Sequence, residues 1–320
     1  MSMKKTERHH WWPMCVSKHW VDDHGGITSL SPNGTELRLK PSGIGVIRDG
    51  HYIKLGKNPG EHTCLDQNFE YMYANADNNF PYIIEWLNQL TFEDRAGRQC
   101  RERFFAHQVE DTIFKNLIEC ITSLAIRSPM TRVSCLSLAK KFRDNISQRE
   151  LHAIAALNLR DMFQRAVDSF GIRGKITVLK SPDRELIFGD GFFHNLSSPA
   201  AAPARPEILA PITPSIAVLY SIPMRCNQEP RLSTLVIDPA EAQMLNNTVQ
   251  IYARNSVFFR NERPKLTPDF QSGMHNCFAL PNHPIAALIH SMPGVPPRDT
   301  SLDSLMSMIM INRLERGINQ

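Results

Sequence analysis

The chain has no G-x-x-x-x-G-K-S/T loop, no G-x-G-x-x-G turn, no H-E-x-x-H helix, no G-x-S-x-G elbow and no zinc-finger spacing. These absences take P-loop nucleotide hydrolysis, the zincins and the α/β-hydrolases out of the first rank. No apolar run approaches the roughly 20 residues that span a bilayer, so no membrane partner is expected. The basic start lacks an apolar core and does not read as a secretory signal. Seven cysteines are scattered without a C-x-x-C pair, a pattern that fits reduced cytoplasmic thiols better than a disulfide framework. With 21% charged and 42% hydrophobic residues, the chain is too apolar to be disordered. A length of 320 residues suggests about two domains, or one large one with insertions.

What is present divides by period. Over 1–65, Pro32-Asn33-Gly34 and Asp49-Gly50 punctuate short alternating segments such as Glu36 to Lys40, the chemistry of hairpin turns. Over 66–170, Phe105, Val109, Ile113, Leu117 and Ile121 recur at four-residue steps, the stripe of an amphipathic helix ending near Arg127-Ser128-Pro129. Further helices are predicted over about 133–146 and 148–169, stopped by Gly171 and Gly174. Strand patterns return over 171–260, at 176–179, 185–188, 215–220 and 234–237, with a Pro-, Ala- and Ser-rich loop over 197–214. Asp238-Pro239-Ala240-Glu241 then opens a capped helix running to about Asn255. The remainder, 261–320, holds a Pro-rich linker (281–297) and a helix over about 301–316. The expected class is α+β: N-terminal hairpins packed on a C-terminal mixed or antiparallel sheet with its capping helix, and a helical middle.

Four residues are candidates for chemistry. His10 lies in a cluster with His9, His19, His24, Asp22, Asp23 and Cys15; it reads either as a general base or as a structural histidine beside tryptophans. The cluster lacks the paired short spacings of a zinc site, so a divalent metal is not indicated by ligand spacing. Asp190 ends a strand between Gly189 and Gly191, placed for a ligand or metal or simply for a turn. His194, four residues on, reads as a surface side chain. Arg127 closes an apolar helix and should seek a carboxylate or a phosphate. Asn246 shares a helix face with Val249 and Ala253 and needs amide partners, from a substrate or from a neighbouring strand. Between Arg127 and Arg149 stand six basic residues against one acid, Asp144, which makes nucleic acid or a nucleotide a candidate partner.

At these residues the chain resembles the bacterial domain of unknown function 4238. The opening motif of that family corresponds to His10-Trp11-Trp12-Pro13 with Trp20 ten residues after the histidine, and its Arg-Thr-Pro-like turn to Arg127-Ser128-Pro129. A strand-end aspartate motif corresponds to Phe188-Gly189-Asp190-Gly191-Phe192, a Pro-Leu-Ser-Pro-like segment to Pro211 through Pro214, and an Asn–Ala pair to Asn246 and Ala253. The matches keep their order over about 9–260. The chain departs from the family where Gly191-Phe192 replaces Asn-Pro. The resemblance implies a fold grouping and a short list of residues, and no activity.

Two functions are expected from different classes. The first is a hydrolase or nuclease acting on a phosphate-bearing substrate, in a toxin or defence role. In it His10 serves as base, Arg127 and Asn246 bind substrate, and Asp190 orients the histidine or a metal. The second is a non-catalytic module that binds nucleic acid or protein. The tail helix, whose apolar positions include Leu302, Leu305, Met306, Ile309 and Met310, packs either on its own chain or on a second copy as a homodimer contact.

Overall fold

The computed structural model describes residues 8–55, 63, 66–197, 205–280, 283 and 285–296. The helix Asp111–Arg127 is the element around which the others pack. Every residue from Leu117 to Arg127 is buried, so this half is enclosed on all sides rather than along one stripe. The four-residue repeat is misleading at its start. Phe105 belongs to the strand Phe105–His107, and the helix begins only after Glu110. Two helices, Ala74–Gln89 and Gln148–Phe170, lie against it. Gln148–Phe170 opens with a capping box between Ser147 and Glu150 and stops at Gly171, whose φ of +54° suits glycine. The single helix expected over 133–146 is two short ones, Pro129–Ser134 and Ser137–Phe142.

The C-terminal half carries a five-stranded mixed sheet. Its spatial order is Glu207–Thr213, Ile216–Ser221, Lys175–Lys180, Leu232–Val236 and Phe105–His107. The pair Lys175–Lys180 and Leu232–Val236 is parallel, and the other neighbours are antiparallel. Inner strands buried on both faces account for the nearly continuous apolar runs in their sequence. Glu207–Thr213 falls within the segment expected to be a loop. Pro211 is compatible with a strand here because the strand ends the sheet and its short outer pairing, His194 with Ile208, stops before Pro211. Asp238 caps the helix Pro239–Tyr252 through a capping box with Glu241. The class is α+β.

A second, antiparallel sheet joins distant parts of the chain in the order Glu36–Leu39, Ile27–Leu30, Val257–Phe259 and Phe188–Gly189. Its first two strands are the hairpin expected at Pro32-Asn33-Gly34, with Gly34 at φ +81°. Aromatic packing holds this joint. Trp12 stacks on Phe188 with centroids 4.4 Å apart, Phe258 stacks on Phe188 at 4.7 Å, and Trp20 leans on the same ring at 4.7 Å. The Trp20 indole N–H donates to the Ile212 carbonyl at 3.0 Å. Two small ladders complete the N-terminal part: Arg8–His10 with Val46–Arg48, and Tyr52–Ile53 with Gln67–Asn68.

Part of the Pro-rich stretch is not an outward linker. The short helix Ile285–Ile289 and the turn after it bury Ile285, Leu288, Ile289, Met292 and Val295, and Arg101 donates to the carbonyls of His290 and Val295. The expected helix over 301–316, and the homodimer contact read from it, lie outside the described residues. Among the described residues no helix is long and apolar enough to cross a membrane, and the six cysteines are free thiols.

His194 is the clearest departure from its expected place. It is fully buried, its Nε2 is 3.0 Å from the Thr131 hydroxyl, and its Nδ1 has no partner. Burial lowers its pKa to about 3, and burial likewise lowers that of His51 to about 4. Unfolded imidazoles take up protons as pH falls through about 6.5, while these two stay neutral in the fold. Acid therefore favours the unfolded chain. Denaturant melts across pH 6.5 to 4 should show stability falling with pH, and His194→Gln should remove about one proton's worth of the slope. A flat profile over that range would contradict the buried, neutral assignment.

Candidate functional site

Arg127 organises the region round His10. Its side chain is wholly buried and forms two hydrogen bonds with Asp77, 2.6 Å from Nη2 and 3.1 Å from Nη1. Nη2 also donates to the Ser123 hydroxyl at 3.1 Å, and the guanidinium lies 4.6 Å over the Tyr73 ring. Burial opposes the charge, but the adjacent Asp77 carboxylate raises the Arg127 pKa above its ordinary value. The remaining reach of Nη1 goes to the backbone carbonyl of His10, at 3.4 Å. Arg127 is thus a positioning residue: it fixes the strand Arg8–His10 against the helices. The sequence reading of Arg127 as a substrate ligand is corrected on this point, because its donors are already committed to protein acceptors.

Along that strand the side chains alternate. His9 is buried and His10 is half-buried. Burial lowers the His10 pKa; Glu70 raises it, Arg8 and Arg127 lower it, and Asp77 raises it, with a net position below 6.5. The imidazole is therefore neutral near pH 7 and lies within electrostatic reach of two carboxylates. Glu70 itself is half-buried. Desolvation pushes its pKa up, but the hydrogen bond from His51, together with the Arg127 charge, brings it below the ordinary value.

Behind His10, His51 is stacked on His9 with centroids 5.2 Å apart, and its Nδ1 is hydrogen-bonded to Glu70. His9, His51 and Glu70 are the one group among the described residues whose potential ligand atoms lie within 4.8 Å of one another in a metal-like set. The hydrogen bonding gives it another reading. His9 Nδ1 accepts the backbone N–H of His51 at 2.8 Å, so the neutral ring carries its proton on Nε2. A divalent cation would have to replace both this bond and the His51–Glu70 bond. The cluster expected from sequence does not converge: Asp22 accepts from the backbone of His24 and Gly26 and from Arg38, ordering its own turn.

Arg132 presents the opposite case to Arg127. Its Nη2 donates to the Gly50 carbonyl, while Nε and Nη1 are buried without a hydrogen-bond partner. The hydroxyl of Tyr73 is likewise buried and unpartnered. Burial lowers the Arg132 pKa, and only Tyr73 and Cys135 act to raise it.

Asp190 and Asn246 are braces. The Asp190 carboxylate accepts from the backbone N–H of Arg254 (2.7 Å) and Asn255 (2.9 Å) and from the Asn255 side chain (3.0 Å). Its backbone carbonyl accepts from Met130 N–H at 3.2 Å. The flanking glycines do permit a close approach, but of protein: a Cβ on Gly191 would fall 2.1 Å from the Tyr252 carbonyl oxygen. Asn246 accepts from Ile187 N–H at 3.0 Å and donates to the Glu185 carbonyl at 2.9 Å. Neither has a role directed at His10. The basic stretch also contracts, since Arg127 is taken inside, Arg132 is half-buried and bonded to the Gly50 carbonyl, and Arg143 pairs with Glu150 at 3.3 Å. Lys140, Lys141 and Arg143 remain exposed beside the exposed Phe142.

Sequence reasoning missed Glu70, Tyr73, Asp77 and His51. A signal existed for the first three, whose spacings of three and four place them on one helical face. His51 follows Asp49-Gly50, which read only as a turn. The neutral state of His10 is checked by following its ring resonances against pH. The expected midpoint lies below 6.5 and falls further in Glu70→Gln, because Glu70 is the largest influence raising it. A midpoint above 6.5, or one unmoved by Glu70→Gln, would contradict the assignment. No family model, no curated protein and no solved structure matches the chain.

Proposed function

We propose that the chain is a hydrolase of the nuclease type that acts on a phosphate-bearing substrate at His10. The observation that carries the reading is a half-buried, neutral imidazole on backbone locked by Arg127, with the carboxylate of Glu70, itself bonded to His51, within electrostatic reach. A neutral histidine can take the proton of an attacking water, and a nearby carboxylate favours the imidazolium that results. The acceptor positions of Asp190 are occupied, so in this reading the carboxylate that acts on His10 is Glu70, through its charge. Kinship with the domain of unknown function 4238 is part of the proposal. It rests on the order of the sequence motifs over about 9–260.

A second reading, a nucleic-acid-binding module without turnover, is favoured by one observation. Three of the four expected site residues are committed to structural bonds, while Lys140, Lys141, Phe142 and Arg143 form an exposed basic and aromatic edge. Incubation of the protein with single- and double-stranded DNA, RNA and nucleotides, with and without magnesium, manganese or zinc, separates the two. The hydrolase reading expects turnover that falls about 100-fold or more in His10→Ala, with binding little changed. Binding without turnover, indifferent to His10→Ala but weakened by Lys140→Ala with Lys141→Ala, would establish the module instead.

A further inference from the structure

We propose that Arg8 and Arg48 are the phosphate-binding half of the His10 site and take one phosphate group of the substrate between their guanidinium forks. The pair deepens the hydrolase reading, on which this assignment rests, by supplying the groups that hold the anion. Strand register brings them together. Arg8 on the strand Arg8–His10 stands directly opposite Arg48 on the strand Val46–Arg48, and His10 stands opposite Val46. Opposed residues of an antiparallel pair share a face, with Cα atoms roughly 4.5–5.5 Å apart. Residues two apart along one strand also share a face, about 7 Å apart. Arg8, Arg48 and His10 therefore stand on one face of the ladder, while His9 and Ile47 turn to the other. Exposure follows that division: both arginines are exposed and His10 is half-buried, whereas His9 is buried. The Arg8 charge is felt at the imidazole, where it helps to lower the His10 pKa.

Two like charges directly opposite on a ladder repel each other. Among the described residues no carboxylate offsets that repulsion. Arg8 donates from Nη2 to the Ser42 carbonyl at 3.0 Å, and Arg48 makes no hydrogen bond or ion pair with a described residue. The Asp49 carboxylate, next in the chain, accepts from Lys54 at 2.7 Å. Glu70 and Asp77, the carboxylates that act on His10, are bonded to His51 and Arg127. An oxyanion between the two forks removes the repulsion, because each guanidinium can donate parallel N–H groups to phosphate oxygens. A phosphate monoester carries a charge of about −2 and so balances the pair, which a single carboxylate does not. Both arginines are exposed, so an anion reaches them without opening the fold. In the hydrolysis a water oxygen bonds to phosphorus, its proton passes to His10, and the ester oxygen leaves with the electron pair of the broken P–O bond. The two guanidinium groups offset the charge that gathers on the phosphate oxygens.

The test titrates the full chain with inorganic phosphate at fixed pH and constant ionic strength and follows the His10 ring resonances. It compares the parent protein with Arg8→Met, Arg48→Met and Lys140→Ala, the last removing a charge outside the ladder. The expected result is a saturable shift in the parent and in Lys140→Ala. Arg8→Met and Arg48→Met should each need roughly 10-fold more phosphate or above for half effect, the loss of hydrogen bonding between charged groups. A response that does not saturate, or half effects in Arg8→Met and Arg48→Met within about twofold of the parent's, would overturn the proposal. Should Arg8→Met not fold, Arg48→Met decides alone, since removing one of two opposed charges on an exposed face relieves repulsion. Binding needs no turnover, so the two readings fail separately. Saturable phosphate binding that depends on Arg48, in a protein without turnover, keeps the anion site and removes the hydrolase reading. Turnover that needs His10 and is indifferent to Arg48→Met does the reverse. A second arm adds a nucleoside 5′-monophosphate or an unphosphorylated dinucleotide, whose one phosphate is the internal diester. Displacement of inorganic phosphate by the monophosphate alone assigns a terminal phosphate, and displacement by the dinucleotide assigns a backbone phosphate. Displacement by neither overturns the assignment to a substrate phosphate.

Discussion

The ion pair between Arg127 and Asp77 is the interaction on which the rest of this region depends. A guanidinium with no exposure to solvent is tolerable only with a close carboxylate and further acceptors, because desolvation otherwise exceeds the Coulombic gain. Asp77, the Ser123 side chain and backbone, and the His10 carbonyl supply these. The pair therefore does more than stabilise two helices. It ties the strand Arg8–His10 to Ala74–Gln89 and Asp111–Arg127, and so sets where His9 and His10 stand relative to Glu70. From the other side, Trp11, Trp12 and Trp20 pack round Phe188 and Phe258. The N-terminal segment is thereby clamped between the helices and the second sheet.

Polar groups in this clamp fall into two kinds. Asp190, Asn246 and Arg127 have their hydrogen-bonding capacity met by protein atoms and hold segments together. His10 is half-buried, and two guanidinium nitrogens of Arg132 have no hydrogen-bond partner in the protein. Groups of the second kind can respond to a ligand, since their free energy changes when one arrives. Groups of the first kind would have to break bonds already made. This distinction shifts the candidate chemistry from Asp190 to Glu70 and His10.

Local signals in the sequence were the reliable ones. The capping box at Asp238, the helix stop at Gly171 and the hairpin at Pro32-Asn33-Gly34 all have short-range physical causes. Edge position made Glu207–Thr213 a strand despite Pro211, and strand pairing drew Phe105 away from a helical repeat. Those outcomes depend on neighbours remote in the chain. The site was half legible for the same reason. His10, Arg127, Asp190 and Asn246 could be singled out as residues needing partners, but the partners (Asp77, Arg254, Asn255, Ile187) are separated from them by tens of residues. Only the structure shows which needs are already met.

A double-mutant cycle on Arg127 and Asp77, read as unfolding free energy, tests the central claim most directly. Breaking a buried pair from one side leaves the other charge uncompensated, so Arg127→Met should cost about 3 kcal/mol or more, and Asp77→Leu a comparable amount. The doubly substituted chain should recover much of that loss, with a coupling energy of about 2 kcal/mol or more. Costs that simply add, to within about 0.5 kcal/mol, would show that the pair does not hold the N-terminal segment in place.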